Sequence, residues 1–239
     1  MRSQRRLVSP LSAVNLQPNT FIGGVAAEIP TAASLATKLA ISESDISYFA
    51  IVGSDIEARI NVDYPMPGSS FLSNTAITYF NDADGLVTSL GSSSFSNATN
   101  LVSAKFKNAT TSGIEIFRQC ASLTELVLTN MDSLDSVALF RVSIVELILP
   151  NLTKALNAVS NSSTSGCFRE MGSVTLIDMP KCTQIGRTAL DNGVFLLIKT
   201  GCVINVDSSL ATNNSGAMDG DLAYAVNSRG ATVNFIVNT

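Results

Sequence analysis

The residues that could do chemistry are few, and their types narrow the choice quickly. Asp82-Ala83-Asp84-Gly85 and Asp219-Gly220-Asp221 bring carboxylates close enough to hold a hard cation through oxygen. An EF-hand-type loop needs further oxygen ligands downstream, and none follows either run. A turn closed by Gly85 and the first turn of a helix account for both runs without a metal. Cys120, Cys167, Cys182 and Cys202 lie far apart, with no Cys-x-x-Cys pair for a zinc ribbon or a dithiol site. They read as reduced, buried thiols. Histidine is absent, which removes Ser-His-Asp and Cys-His nucleophiles, His-ligated zinc and haem. No phosphate loop, dinucleotide fingerprint or nucleophile elbow occurs. Only a carboxylate pair assembled by the fold, as in glycoside hydrolases, stays open, because such a separation is not a property of sequence. The expectation is no catalytic residue, no cofactor and no metal.

The scaffold is equally constrained. The 239 residues suffice for one large or two small domains with a substantial core. Lys and Arg number 15 against 19 Asp and Glu, a net charge of −4, so the chain carries no basic footprint for nucleic acid. Charged residues make up 14%, below the usual share, while Ser, Thr and Asn together number 70. Hydroxyls and amides must therefore carry the solubility. Mean hydropathy is +0.30, yet the longest apolar runs, such as Val194 to Ile198, fall far short of the roughly 20 residues of a membrane-crossing helix. No membrane span is expected.

The apolar residues recur. Segments starting at Ile77, Leu101, Leu123, Ile144, Val174 and Leu196 align, the second to fourth following L-x-x-L-x-L-x-N and ending at Asn108, Asn130 and Asn151. The starts are 24, 22, 21, 30 and 22 residues apart, within the period of leucine-rich repeats. The long step contains the polar run Asn157 to Ser165, read as a surface insertion. Six residues before the starts stand Phe71, Phe95, Phe117, Ala138, Phe168 and Leu190, with Phe140 a substitute anchor in the fourth unit. In a short strand alternate side chains share a face, so Leu126 and Leu128, or Leu147 and Leu149, point inward while Val127 and Ile148 point outward. The asparagines are expected to turn their amides inward onto unpaired turn backbone and, stacked, to form a ladder. One coil cannot bury its own apolar edge, so the coils must stack.

Within Leu86 to Phe106, the residues Leu90, Gly91, Phe95, Ala98, Leu101, Ala104 and Phe106 fill the frame I-G-x-x-A-F-x-x-C-x-x-L-x-x-I-x-I-P. Phe117, Cys120, Leu123, Leu126 and Leu128 repeat it, Pro150 and Pro180 match its proline, and Cys182, Thr183, Ile185 and Gly186 match the start of another unit. This stretch, over about residues 70 to 200, resembles the BspA-like class of leucine-rich repeats. The resemblance implies an α/β-type solenoid: a right-handed stack of coils with short parallel strands and few helices, capped at both ends.

Four regions are expected: an extended basic arm over 1–30, an N-terminal cap over 31–66, the solenoid over 67–202 and a C-terminal cap over 203–239. Arg2, Arg5 and Arg6 open the arm as a secretory signal would, but Pro10, Asn15 and Gln17 interrupt its apolar stretch, so it is read as an anchor rather than a signal. Thr31 caps a short helix with Leu35 and Leu39 on one face; Ile46 to Val52 forms a strand or a first irregular coil. Asp219 to Asn227 forms a helix ended by Gly230, and Val233, Phe235 and Val237 alternate as a strand. The pair is a cap or, alternatively, a trimer-forming tail.

The outward positions of the strands form the candidate contact face: Ser103, Lys105, Lys107, Glu125, Val127, Thr129, Glu146, Ile148, Leu176 and Asp178. The array suits contact with a protein or a glycan. BspA-like repeats occur on bacterial adhesins and in phage-encoded proteins, so the resemblance implies a non-enzymatic structural or recognition protein. A virion surface or fibre component is the first expectation, with partners among other virion proteins, copies of itself through the arm, or a host surface. A bacterial cell-surface adhesin is the alternative, and a carbohydrate-active enzyme the third.

Overall fold

A computed structural model describes residues 17–157, 166–187 and 193–238. The arginines Arg2, Arg5 and Arg6, the anchor position Leu190 and the insertion from residue 158 to 165 lie outside the described residues. Strand β1 (Thr20–Gly23) is followed by helix α1 (Ala32–Leu39) and by the strands β2 (Ile46–Val52) and β3 (Asp55–Ile60). Then come β4 (Tyr64–Met66), β5 (Tyr79–Asp82), β6 (Val87–Leu90), β7 (Ser103–Phe106), β8 (Thr111–Ser112), β9 (Glu125–Val127) and β10 (Ser133–Leu134). The chain continues through β11 (Glu146–Ile148), β12 (Lys154–Ala155), β13 (Leu176–Met179), β14 (Gln184–Ile185) and β15 (Val203–Asp207) to helix α2 (Gly220–Arg229) and β16 (Thr232–Ile236).

Each coil contributes one strand to each of two columns. One column is the continuous parallel sheet β4-β6-β8-β10-β12-β14; most of its strands are two residues long, too short to show alternation in sequence. The other column carries the longer strands and is split into β2-β3-β1-β5-β7-β9 and β11-β13-β15-β16. Between the columns the chain turns through left-handed residues four apart: Ser69 and Ser73, Ser93 and Asn97, Glu115 and Gln119, Val137 and Arg141. For a residue with a Cβ that conformation costs about 1–2 kcal/mol. Its return is backbone hydrogen bonding along the stack, since Ser73, Asn97 and Gln119 each donate an N–H to the next coil, at 2.7 Å. Gly91 belongs to the same turns, where a Cβ would stand 2.3 Å from the Gly68 nitrogen of the preceding coil.

The anchors between these turns carry the core. Phe71, Phe95, Phe117 and Phe168 are fully buried, as their spacing predicts. The fourth anchor is Leu139, not Ala138: its N–H bonds Cys167 as that of Phe117 bonds Ala138 and that of Phe95 bonds Ile116. Phe140 does not substitute for it: though buried, it lies outside the main apolar cluster, its ring faced by the guanidinium groups of Arg141 at 4.8 Å, Arg169 at 5.0 Å and Arg118 at 6.0 Å. The sixth unit is also displaced. Its strand is β15 rather than the segment from Leu196, which lies in a turn with Leu197 left-handed; its buried anchor is Phe195. The leucines Leu196 and Leu197 imitate a strand in sequence but cannot extend through that turn.

One deletion explains the split. Phe71, Phe95, Phe117, Phe168 and Phe195 stand eight residues before their strands begin, whereas Leu139 stands seven before β11. Val102, Thr124 and Thr175 each donate an N–H to the neighbouring coil just before their strands, but in the fourth coil the corresponding bond is made by Ser143 to Leu123. The shortened approach leaves β9 and β11 unpaired with each other. Leu126, expected inside, is therefore only half-buried at this seam, while Leu147 and Leu149 are buried as expected.

Residues 17–30, expected in the arm, instead join the fold. β1 runs antiparallel between β3 and β5, and Ile22, Val25 and Ile29 are buried. Thr31 caps α1 with a reciprocal bond to Ser34, and α2 runs from its Asp219 cap to left-handed Gly230. β15 and β16, placed in the cap from sequence, continue the parallel column, and β4 begins the other.

Candidate contact face

The split column presents the face on which the ten outward residues were expected. Alternation puts Ala104 and Phe106 into the core and turns Ser103 and Lys105 outward. Register then sets Ser103 against Glu125 and Lys105 against Val127 on one side of the seam. On the other side it sets Glu146 against Leu176 and Ile148 against Asp178. Lys107 and Thr129 are exposed just past their strands. The structure thus places all ten residues on one side of the coils, but on two sheets rather than one.

Several of their polar groups are already engaged. Lys105 Nζ is 2.6 Å from a Glu125 oxygen, and Ser103 Oγ donates to the other at 2.7 Å. Lys105, then Ser103, hold the Glu125 carboxyl below its usual range. Lys107 Nζ donates to the Ala83 carbonyl. Beyond the seam, Asn205 donates to Asp178 at 2.8 Å and Asn234 to Asn205 at 2.9 Å, a row that crosses three strands. Of the apolar members, Ile148 is 44% exposed and Val127 and Leu176 are half-buried; Val145, just before β11 and outside the ten, is 51% exposed.

The asparagines after the strands make the expected ladder, in a different direction. Asn108 donates to the Gly85 carbonyl, Asn130 to Asn108, and Asn151 to the Thr129 carbonyl, with Lys181 donating to Asn151. Asn108 and Asn130 are exposed. The amides bond from coil to coil along the rim because inward amides would displace apolar contacts.

A trough of about 490 Å³ lies at the N-terminal end of the face, lined by Phe21, Thr78, Tyr79, Asn81, Val102, Ser103 and Lys105. Sequence reasoning found only Ser103 and Lys105. Tyr79 and Asn81 occupy the same repeat positions one coil earlier, a signal the alternation does contain. Phe21 had none, because β1 reaches this sheet from outside the repeat.

The acidic runs serve the backbone. Asp82 is buried and accepts N–H bonds from Gly85, Leu86 and Val87 at 2.9–3.1 Å, closing a turn in which Gly85 has φ +77°. Burial nevertheless raises its carboxyl above the usual value. Asp219 is the helix cap, and Asp221 accepts the Val194 N–H. No group of three metal-ligating side chains occurs among the described residues. All four cysteines are buried and unpaired in disulfides. Burial pushes the thiols of Cys120 and Cys182 up to about 12 and that of Cys202 to about 11. No helix among the described residues is long and apolar enough to cross a membrane.

With this geometry in place, comparison adds the family. The sequence profile described as BspA type leucine-rich repeat region matches residues 67–197, in six copies. No curated protein and no solved structure matches the chain.

Proposed function

The chain belongs to the BspA-type leucine-rich-repeat family, and from that membership we propose that its strand face is a non-catalytic contact surface for another protein. The observation that supports this most is the open apolar pair beside the seam, Val145 and Ile148 at 51% and 44% exposure, on a face where Lys105 and Glu125 already neutralise each other. Contact there removes apolar area from water. In the finer reading the protein is a virion surface or fibre component. Its support is the low charge, the abundance of hydroxyls and amides, and the basic residues Arg2, Arg5 and Arg6 as an anchoring segment. The adhesin reading draws its support from the repeat family itself.

Paired substitution Val145→Asp with Ile148→Asp tests the surface, against Thr88→Asp, which is exposed on the other column. The expected outcome is that retention on source virions falls by about tenfold or more in the double variant, equivalent to about 1.4 kcal/mol, and is unchanged by Thr88→Asp. Equal retention of all three proteins would refute the contact face. Retention on bacterial cells alone would replace the virion placement with the adhesin.

A further inference from the structure

The trough at the N-terminal end of the face has a composition different from the seam, and it deepens the contact-face reading there. We propose that it binds a neutral glycan, one pyranose ring lying across Phe21 and Tyr79.

The floor is aromatic and held in place. Tyr79 lies against Gly23, where a Cβ would stand 2.3 Å from the ring, so glycine is what lets the ring rest on the backbone. Its hydroxyl donates to Asp55 at 2.8 Å, and Asp55 also accepts the Gly24 N–H at 2.9 Å. Phe21, paired with Asn81 and so diagonal to Tyr79 two residues along the antiparallel pair, stays half-exposed beside it. A fixed aromatic surface takes the flat C–H face of a sugar without ordering cost, and the ring's hydroxyls then point to the edges.

Those edges carry the matching groups. Asn81 is half-buried in the trough, and its amide has no hydrogen-bond partner among the described residues, leaving donors and an acceptor for hydroxyls. Opposite, Lys105, Glu125 and Ser103 form a bonded set offering both donor and acceptor sites. The ligand should be uncharged. Lys105 is neutralised by Glu125, and Asp55 and Glu57 stand on the neighbouring strand β3 with Arg59, so an acidic sugar would find no net positive charge near the trough. A peptide strand is disfavoured for another reason: β1, β5 and β7 are each paired on both sides, so no sheet edge is open for main-chain bonding.

Saturation-transfer NMR and titration calorimetry with maltotriose, cellotriose and triacetylchitotriose test this, with sialyllactose as the charged control. At least one neutral trisaccharide is expected to bind with millimolar affinity and sialyllactose not to bind. Phe21→Ala and Asn81→Ala should each weaken binding by about tenfold, while Tyr79→Phe, which keeps the ring, should retain it. Unchanged melting of the Asn81 variant separates lost binding from lost folding. Absence of binding by every neutral sugar, tighter binding of sialyllactose, or binding indifferent to Phe21→Ala and Asn81→Ala would each overturn the proposal. Such a failure leaves the surface at Val145 and Ile148 standing, because its assay uses neither the trough nor a sugar.

Discussion

Replacing Phe95 by leucine should damage the stack more than the same change at Phe168, and the difference isolates aromatic contact. Both rings are fully buried anchors at the same repeat position, so the lost area and the cavity are alike. Phe95 stacks on Phe71 at 5.2 Å and on Phe117 at 5.3 Å, and meets Phe80 and Phe106 at 5.8 Å. Among the described residues Phe168 has only Phe195, at 5.7 Å. Three further pairs at about 0.5–1.5 kcal/mol each give about 1.5–4.5 kcal/mol, and the two longer contacts favour the lower half, about 1.5–3. At about 2–4 °C per kcal/mol for a chain of this size, that is a melting temperature lower by about 3–12 °C in Phe95→Leu than in Phe168→Leu. Thermal melting followed by circular dichroism, with hydrogen exchange to locate opening in one half of a quasi-linear array, measures it. Equal costs, or a larger cost at Phe168, would refute the claim that ring-to-ring contact stabilises the N-terminal coils.

Two further outcomes follow from ionisation. A Cys120 thiol moved from 9.0 to about 12 carries about a thousandfold less thiolate at neutral pH. Ellman's reagent should therefore titrate the four cysteines only after denaturation, with Cys202, raised least, the first to react; any thiol reacting in the folded protein as fast as in urea contradicts their burial. Asp55 is held below its usual 3.8, first by the Gly24 N–H. The unfolded chain then binds the proton first, so this stabilisation is present above that value and lost as pH falls through the folded one. Between about pH 5 and pH 3 the wild type should lose melting temperature faster than Asp55→Asn; parallel curves would show that the bond to Gly24 does not favour the charged form.

Much of the architecture was legible because a repeat is a local signal read many times. Leu101, Leu123, Ile144 and Val174 announced their coils, and the alternation around Leu147 assigned inside and outside. The reading failed where local pattern and register part company. Leu196-Leu197 resembles a strand but lies in a turn, and a single missing residue between Leu139 and Glu146 moved the anchor and opened the seam. The trough was only half visible. Ser103, Lys105, Tyr79 and Asn81 follow the repeat, whereas Phe21 arrives on β1, whose partners Glu57 and Asn81 are distant in sequence.

By itself the sequence determined that apolar positions recur every two dozen residues, that such coils must stack to be buried, and that imidazole chemistry is absent, because these depend only on residue types and spacing along the chain. Tertiary structure decided which turns pair, where the face breaks, and that Phe21 lies beside Tyr79. Those outcomes depend on hydrogen-bond register between separate segments, which one residue more or fewer resets while hydrophobic periodicity hardly changes.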